Sequence, residues 1–430
     1  MSDRWDRGQV LGLASDAASA KAAGSASKPA KWSGTGCDGD ALWGECEGSG
    51  RSVYRASVDL SEPAFRCSCP SRKFPCKHAL GLLLLWSDGT VREGPRPGWV
   101  AEWVEQRQER ADKAQERKQS TAAKARDPKT AERREQRVDG GLADLDQWLR
   151  DQVAHGLAQA EKAPYKLWDD AARRLVDAQA GALAGQVKGL AAIPRQAGWP
   201  DRLLEEYALL RLLVRAHQRR EKLPAALRET VRSRIGFTVQ QEDVLRAGER
   251  VRDRWHVIGS RDVPQEQLTT RRVWLRGSVT GRPALVLSFA APGRPLDASL
   301  MVGTEINAEL AFYPGAQPLR ALVADRLETA SASRPGGVTI GAFLDEYATA
   351  LGRDPWLDRW PALLGGVRLA RAGGLQAVDE HGDALPLLPV EPWRLLAVSG
   401  GEPVTFAGEW SRRGLRPLAA WAGDEGVVIL

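Results

Sequence analysis

The feature that most constrains this 430-residue chain is where its cysteines stand: all five lie between positions 37 and 76. Three of them join a histidine in one short run, Cys67-Ser-Cys69-Pro-Ser-Arg72-Lys73-Phe-Pro-Cys76-Lys77-His78. The pattern is Cys-x-Cys, six residues, then Cys-x-His, which puts four soft or borderline ligands within 12 residues. A disulfide scaffold would be denser in cysteine and secreted, whereas clustered thiols beside an imidazole point to a metal. Zn²⁺ takes four-coordinate Cys/His sites readily. The backbone must then meet two conditions. On a strand Cys67 and Cys69 share one face, and the bend forced at Pro70 can aim both sulfurs at one point. On a regular helix Cys76 and His78 would diverge by about 200 degrees. Cys76 must therefore stand just before a helix, after Pro75, with His78 in the first turn. Four protein ligands close the shell, so the expected site is structural rather than catalytic.

The other candidates read as ordinary packing. Cys37 and Cys46 lack partners for a second site and behave as small apolar residues or free thiols. His155, His217, His256 and His381 are scattered singly and read as structural or surface histidines.

Punctuation along the chain predicts a multidomain α+β protein in five parts. Residues 1–31 form an N-terminal segment, with a short helix or strand near Gln9 and a mobile loop over the Ala/Ser/Lys/Gly-rich stretch 17–30. Residues 32–95 form a small β-hairpin-and-helix unit. In it, 41–69 make a three-stranded meander, and Lys77–Trp86 makes a helix that is apolar nearly all round and so must be buried. Gly89, Gly94, Pro95, Pro97 and Gly98 mark a linker. Residues 96–140 are a charged linker or helix. From Arg107 to Arg137 there are 11 basic and 6 acidic residues. That run reads as a solvated helix or disordered segment, or else as a basic arm touching phosphates, and Asp127-Pro128 interrupts it. Residues 141–235 are helical, with stripes through Leu142, Leu145, Leu149, Val153 and Leu157, then Leu175, Val176, Leu183, Val187 and Leu190, then Leu203, Leu204, Tyr207, Leu210, Leu213 and Val214. Three or four helices in an antiparallel bundle are expected. Residues 236–430 form an α+β or mostly β module. Strands are expected at Val273–Val279, Ala284–Phe289, Glu305–Phe312 and Trp393–Val398, and a helix at Ile340–Leu351.

The Cys-x-Cys-x6-Cys-x-His run resembles the SWIM-type zinc finger. Upstream, Trp43-Gly44-Glu45-Cys46-Glu47-Gly48-Ser49-Gly50, Tyr54 and Val58-Asp59-Leu60 are similar to the strand-and-turn lead-in of bacterial members. The resemblance covers roughly residues 32–86 and extends to 10–86 with the N-terminal segment. It implies zinc on Cys67, Cys69, Cys76 and His78 and a role in binding DNA or protein. Stand-alone bacterial members are often encoded near AAA+ ATPases and von Willebrand factor A proteins, which implies an adaptor role in such an assembly as the alternative.

Composition agrees without deciding. The net charge is +6 and the pI about 9.1, which suits a nucleic-acid partner or an acidic protein surface but could equally serve solubility. Between Arg202 and Arg234 nine basic residues face four acidic ones. Three thiolates on one Zn²⁺ leave a formal charge of −1, so one or two of Arg66, Arg72, Lys73 and Lys77 can serve to balance it. Arg72 and Lys73, midway between the ligand pairs, are the better candidates for contact with a partner. There is no Gly-x4-Gly-Lys-Ser/Thr, no His-Glu-x2-His and no Gly-x-Ser-x-Gly, and the ligand thiols are committed to zinc, so no enzyme activity is expected. No apolar run approaches the roughly 18 residues of a membrane span, and no secretory leader is evident. A cytoplasmic protein without a membrane partner is the expectation.

Overall fold

The computed structural model describes residues 5, 7–14, 17–48, 52–60, 64–71, 73, 75–107, 109, 128–265, 268–291, 296–327, 331–388, 393–422 and 426–430. Two helices, α1 (Arg7–Gly12) and α2 (Ala17–Ala26), precede an antiparallel sheet. Its strands follow chain order: β1 (Trp32–Cys37), β2 (Ala41–Glu47), β3 (Val53–Asp59) and β4 (Ala64–Cys67). The expected three-stranded meander over 41–69 is β2 to β4, and β1 adds a fourth strand. Helix α3 (Lys77–Ser87) lies across one face and buries every residue from His78 to Trp86. Its leucines meet Leu42, Ala56, Val58 and Phe65, and each buried Leu, Val or Phe contributes about 1.5–3 kcal/mol by leaving water.

Residues 17–26 are not the loop that their composition suggests. They form α2 because alanine is the best helix former and because small side chains allow close docking. A Cβ placed on Gly81 of α3 would stand 2.9 Å from Cβ of Ala26, so the two helices approach almost backbone to backbone.

The stretch after α3 is tied down despite its Gly/Pro content. Glu93 bridges to Cys37, Val91 is buried, and the Arg96 guanidinium donates to both carboxylate oxygens of Asp38 at 2.7 and 3.0 Å. A helix over residues 98–107, α4, then covers the second face of the sheet, with Val100 packed on Ala41 and Trp43. Its Arg107 pairs with Asp59. This part of the charged run is docked rather than merely solvated. Most of the remainder up to Asp127 lies outside the described residues.

The helical part comprises α5 (Pro128–Ala154), α6 (Tyr165–Asp177), α7 (Gly181–Leu190), α8 (Trp199–Gln218) and α9 (Ala225–Ile235). Pro128 opens α5 at a first-turn position where its missing N–H costs nothing. Helix α5 packs on α6 and α8, α6 on α7, and α8 on α9, around Leu142, Leu149, Trp168, Leu183, Leu203 and Leu213. The predicted stripes hold except at Val153, Val176 and Leu204, which are exposed.

A short helix, α10 (Gln241–Ala247), leads to two six-stranded sheets. In the first, β5 (Glu249–Pro264), β6 (Thr269–Gly277), β7 (Pro283–Ala290), β9 (Arg320–Arg326) and β8 (Thr304–Phe312) form a closed ring, because β7 pairs with β9, β9 with β8, and β8 with β5. Closure removes the open edges, and the two-residue β10 (Ser331–Ala332) adds to β8. In the second, β11 (Trp360–Arg371) is central, flanked by β12 (Leu375–Val378) and β13 (Ala384–Pro386) on one side and by β14 (Val404–Ser411), β15 (Gly414–Trp421) and β16 (Val427–Ile429) on the other. Leu363, Ala407 and Leu418 of this sheet pack into the core of the barrel. Helix α11 (Ile340–Arg353) covers the opposite face through Ile340 and Phe343. The segment from Trp393, expected as a strand, is helix α12 (Trp393–Ser399). Its buried residues are Leu395 and Ser399, one helical turn apart, while Trp393 is exposed.

Candidate metal centre

Two elements deliver the four ligands. Cys67 ends β4, and pairing with β3 runs one residue further, since the Ser68 N–H donates to Arg55 O at 3.0 Å and the Arg55 N–H to Ser68 Oγ at 2.9 Å. The chain leaves the sheet only at Cys69 and Pro70. From the other side Cys76 caps α3 with extended dihedrals (φ −77°, ψ 164°), and its sulfur accepts from the Ala79 N–H at 3.5 Å. His78 follows in the first turn and is buried. The placement demanded by the two-residue spacing is the one observed.

The ligand atoms of Cys67, Cys69, Cys76 and His78 all lie within 4.8 Å of one another, and they are the one such group among the described residues. Cys67 Sγ stands 3.8 Å from His78 Nδ1. A zinc tetrahedron with ordinary Zn–S and Zn–N bonds has edges of about 3.5–3.8 Å, so the Cys67–His78 pair already stands near an edge length and the widest pair would close by up to about 1 Å around Zn²⁺. The imidazole is held by Tyr54, whose ring stacks at 5.0 Å between centroids and 29° between planes. The hydrogen bond from Cys67 holds Cys76 well below the ordinary thiol range, helped by His78 and the Ala79 N–H. The same bond, together with burial, pushes Cys67 up, and burial raises Cys69. A divalent cation would stabilise all three as thiolates.

Of the basic residues around the motif, Arg66, Lys73 and Lys77 are exposed, and Arg72 lies outside the described residues. The Lys73 N–H donates to Ser71 Oγ at 3.2 Å, which shapes the loop between the ligand pairs. A cleft of about 780 Å³ opens beside the cluster, walled by Tyr54, Cys69, Ser71, Lys73, Lys77 and His78 on one side and by Ala18, Ala22 and Lys31 on the other. Lys31 and the α2 wall escaped the sequence reading, because nothing in an Ala/Ser/Lys stretch tells what it docks against. Cys37 and Cys46 are buried on β1 and β2 and do not join the four-residue cluster, although Cys46 lines the cleft beside it. His217 is buried on Asp139 (2.7 Å), and the half-buried His256 meets Ser333 (2.5 Å). Gly34-Thr-Gly36-Cys-Asp-Gly39 spells the glycine spacing of a dinucleotide loop, but it lies on β1 and the β1–β2 turn, where no helix N-terminus follows to hold a pyrophosphate.

The family comparisons match this geometry in two places. Residues 58–86, from β3 through α3, match the model of the SWIM zinc finger. Residues 133–235, from within α5 to the end of α9, match the SWIM-associated four-helix bundle domain. Neither the curated proteins nor the solved structures contain a match to the chain. Ligand spacing, local geometry and both family matches agree that the chain carries a SWIM-type zinc finger joined to a SWIM-associated helical bundle.

Proposed function

We propose that the finger is a zinc-stabilised binding module that contacts nucleic-acid phosphates through the basic edge of its metal loop, and that the chain performs no catalysis there. The observation that carries this reading is the convergence of Lys31, Lys73 and Lys77 on the cleft beside the metal cluster, with Glu47 as its one acidic wall residue among those described. The metal sets the geometry of the loop, and the lysines supply point charges suited to phosphate. An acidic protein surface, as in an adaptor to an AAA+ ATPase and von Willebrand factor A assembly, would use the same charges.

The test is the Arg72→Ala/Lys73→Ala double variant of the full chain. Zinc content should stay at the wild-type level. DNA affinity should fall for all sequences alike, and the slope of log K against log salt should drop by up to about 2, because each lost phosphate contact removes close to one unit. If the wild-type chain binds no nucleic acid while the variant loses capture of a protein partner, the adaptor reading replaces this one. Unchanged binding throughout, at unchanged zinc, refutes the role of the loop.

A further inference from the structure

A second polar cleft, distant in sequence from the finger, lies between the helical bundle and the second C-terminal sheet. It encloses about 460 Å³, and Arg234, Arg261, Arg359, Arg412, Arg413 and Arg416 line it. Its walls are fixed to each other. The Trp356 indole N–H donates to Leu209 O of α8 at 3.0 Å, Arg412 pairs with Glu205 of α8 at 2.8 Å, and Arg234 of α9 pairs with Asp354 at 3.1 Å. Pockets at such junctions, in this size range, are where small ligands bind.

The charge balance of this cleft is unusual. One fully buried carboxylate, Glu409, serves three guanidinium groups: Arg359 at 2.7 Å, Arg272 at 3.1 Å and Arg261 at 3.3 Å. Arg416 adds a fourth charge and makes no ion pair among the described residues, and its Nε is buried without a hydrogen-bond partner. Burial, and behind it the charges of Arg261 and Arg359, pull the Arg416 guanidinium below its ordinary value. Arg413 on the rim likewise has no acidic partner among the described residues. The acids that line the space are Glu206 and Asp358. Asp358 is largely exposed and 3.8 Å from Arg359, and burial raises the pKa of Glu206. Several guanidiniums thus face one cavity with too few carboxylates, although unpaired buried charge is costly. Opposite them the wall is apolar, formed by Leu209, Leu210, Leu213 and Trp356.

We infer that this cleft binds a small phosphorylated molecule, with its phosphate on Arg261, Arg413 and Arg416 and its less polar body against Trp356 and the leucines of α8. Planar guanidiniums match phosphate oxygens two at a time. The volume, about 460 Å³, suits a mononucleotide-sized ligand rather than a polymer backbone. The inference is independent of the finger, whose cleft is built from other residues.

Isothermal titration calorimetry of the zinc-loaded full chain with pyrophosphate and, separately, with AMP tests it. Saturable one-to-one binding is expected for at least one probe. Tighter binding of AMP identifies a nucleotide-like ligand, and tighter binding of pyrophosphate a phosphate-only one. Arg416→Gln should weaken binding at least tenfold. Arg413→Gln, an exposed position that the fold does not need, should weaken it a few-fold, and Arg173→Gln on α6 should leave it unchanged. No saturable binding of either probe overturns the inference, as does binding that Arg413→Gln and Arg416→Gln leave untouched. Oligonucleotide binding that these variants lose, without pyrophosphate or AMP binding, overturns it in favour of backbone phosphates.

Discussion

Glu409 carries a carboxylate with no exposure to solvent, held by three arginines and by the Trp274 indole N–H at 3.1 Å. Removing one member of a buried charge network leaves the others uncompensated, which costs about 3–5 kcal/mol. Glu409→Ala should therefore lower unfolding stability by about that amount in chemical denaturation, and Glu409→Gln, which keeps an acceptor for Trp274, by less. A loss under about 1 kcal/mol for the alanine variant would show that the arginines reach water and do not depend on this acid. At this scale legibility in the sequence followed locality. The zinc ligands could be named because a 12-residue run contains the whole constellation, and the spacing of Cys76 and His78 dictated even which of them precedes the helix. Glu409 could not, because Arg261 stands 148 residues away and Arg359 stands 50 away. One acid among 55 acidic residues carries no local mark of its partners.

Helix α2 shows the same limit for a whole element. Its Ala/Ser/Lys/Gly composition reads as a loop when no partner is known, yet Ala23 and Ala26 are buried against an α3 whose Gly81 leaves room for them. Helix α3 itself was legible, because an apolar surface all round admits only burial. Gly81→Val should force α2 off its seat, at a cost of about 1–3 kcal/mol for overpacking. Hydrogen exchange should then quicken in residues 17–26 while the barrel strands β5 to β8 keep their protection. Unaltered exchange in α2 would mean that the helix does not rely on this approach. The α12 segment reads as a strand for a related reason: Leu395, Leu396 and Val398 suit a strand by composition, and only the one-turn spacing of its buried pair, Leu395 and Ser399, distinguishes the helix.

Across the whole molecule the finger is joined to the C-terminal half. Ala298 and Met301, on the approach to β8, belong to the same apolar cluster as Leu80, Leu83 and Trp86, and α1 touches β16. Metal binding and folding are coupled in small zinc units, so loss of zinc should be felt beyond the finger. Chelation should speed hydrogen exchange in 298–301 and in β16 as well as in β3, β4 and α3, while α5 to α9 stay protected. Changes confined to residues 58–86 would mean that the finger only rests against the barrel. Of this architecture the three-part succession of finger, helices and sheets was legible, because periodicity changes along the chain. Closure of the barrel and the arginine cleft behind it were not, since both arise from pairings between distant segments.

The central claim is that Cys67, Cys69, Cys76 and His78 hold one structural zinc ion. Elemental analysis of the purified full chain tests it most directly, with the Cys76→Ser variant alongside. One zinc per wild-type chain and a strongly reduced content in the variant, with faster exchange in α3, is the predicted result. Zinc-free wild-type protein, or equal zinc in both proteins, would contradict the account.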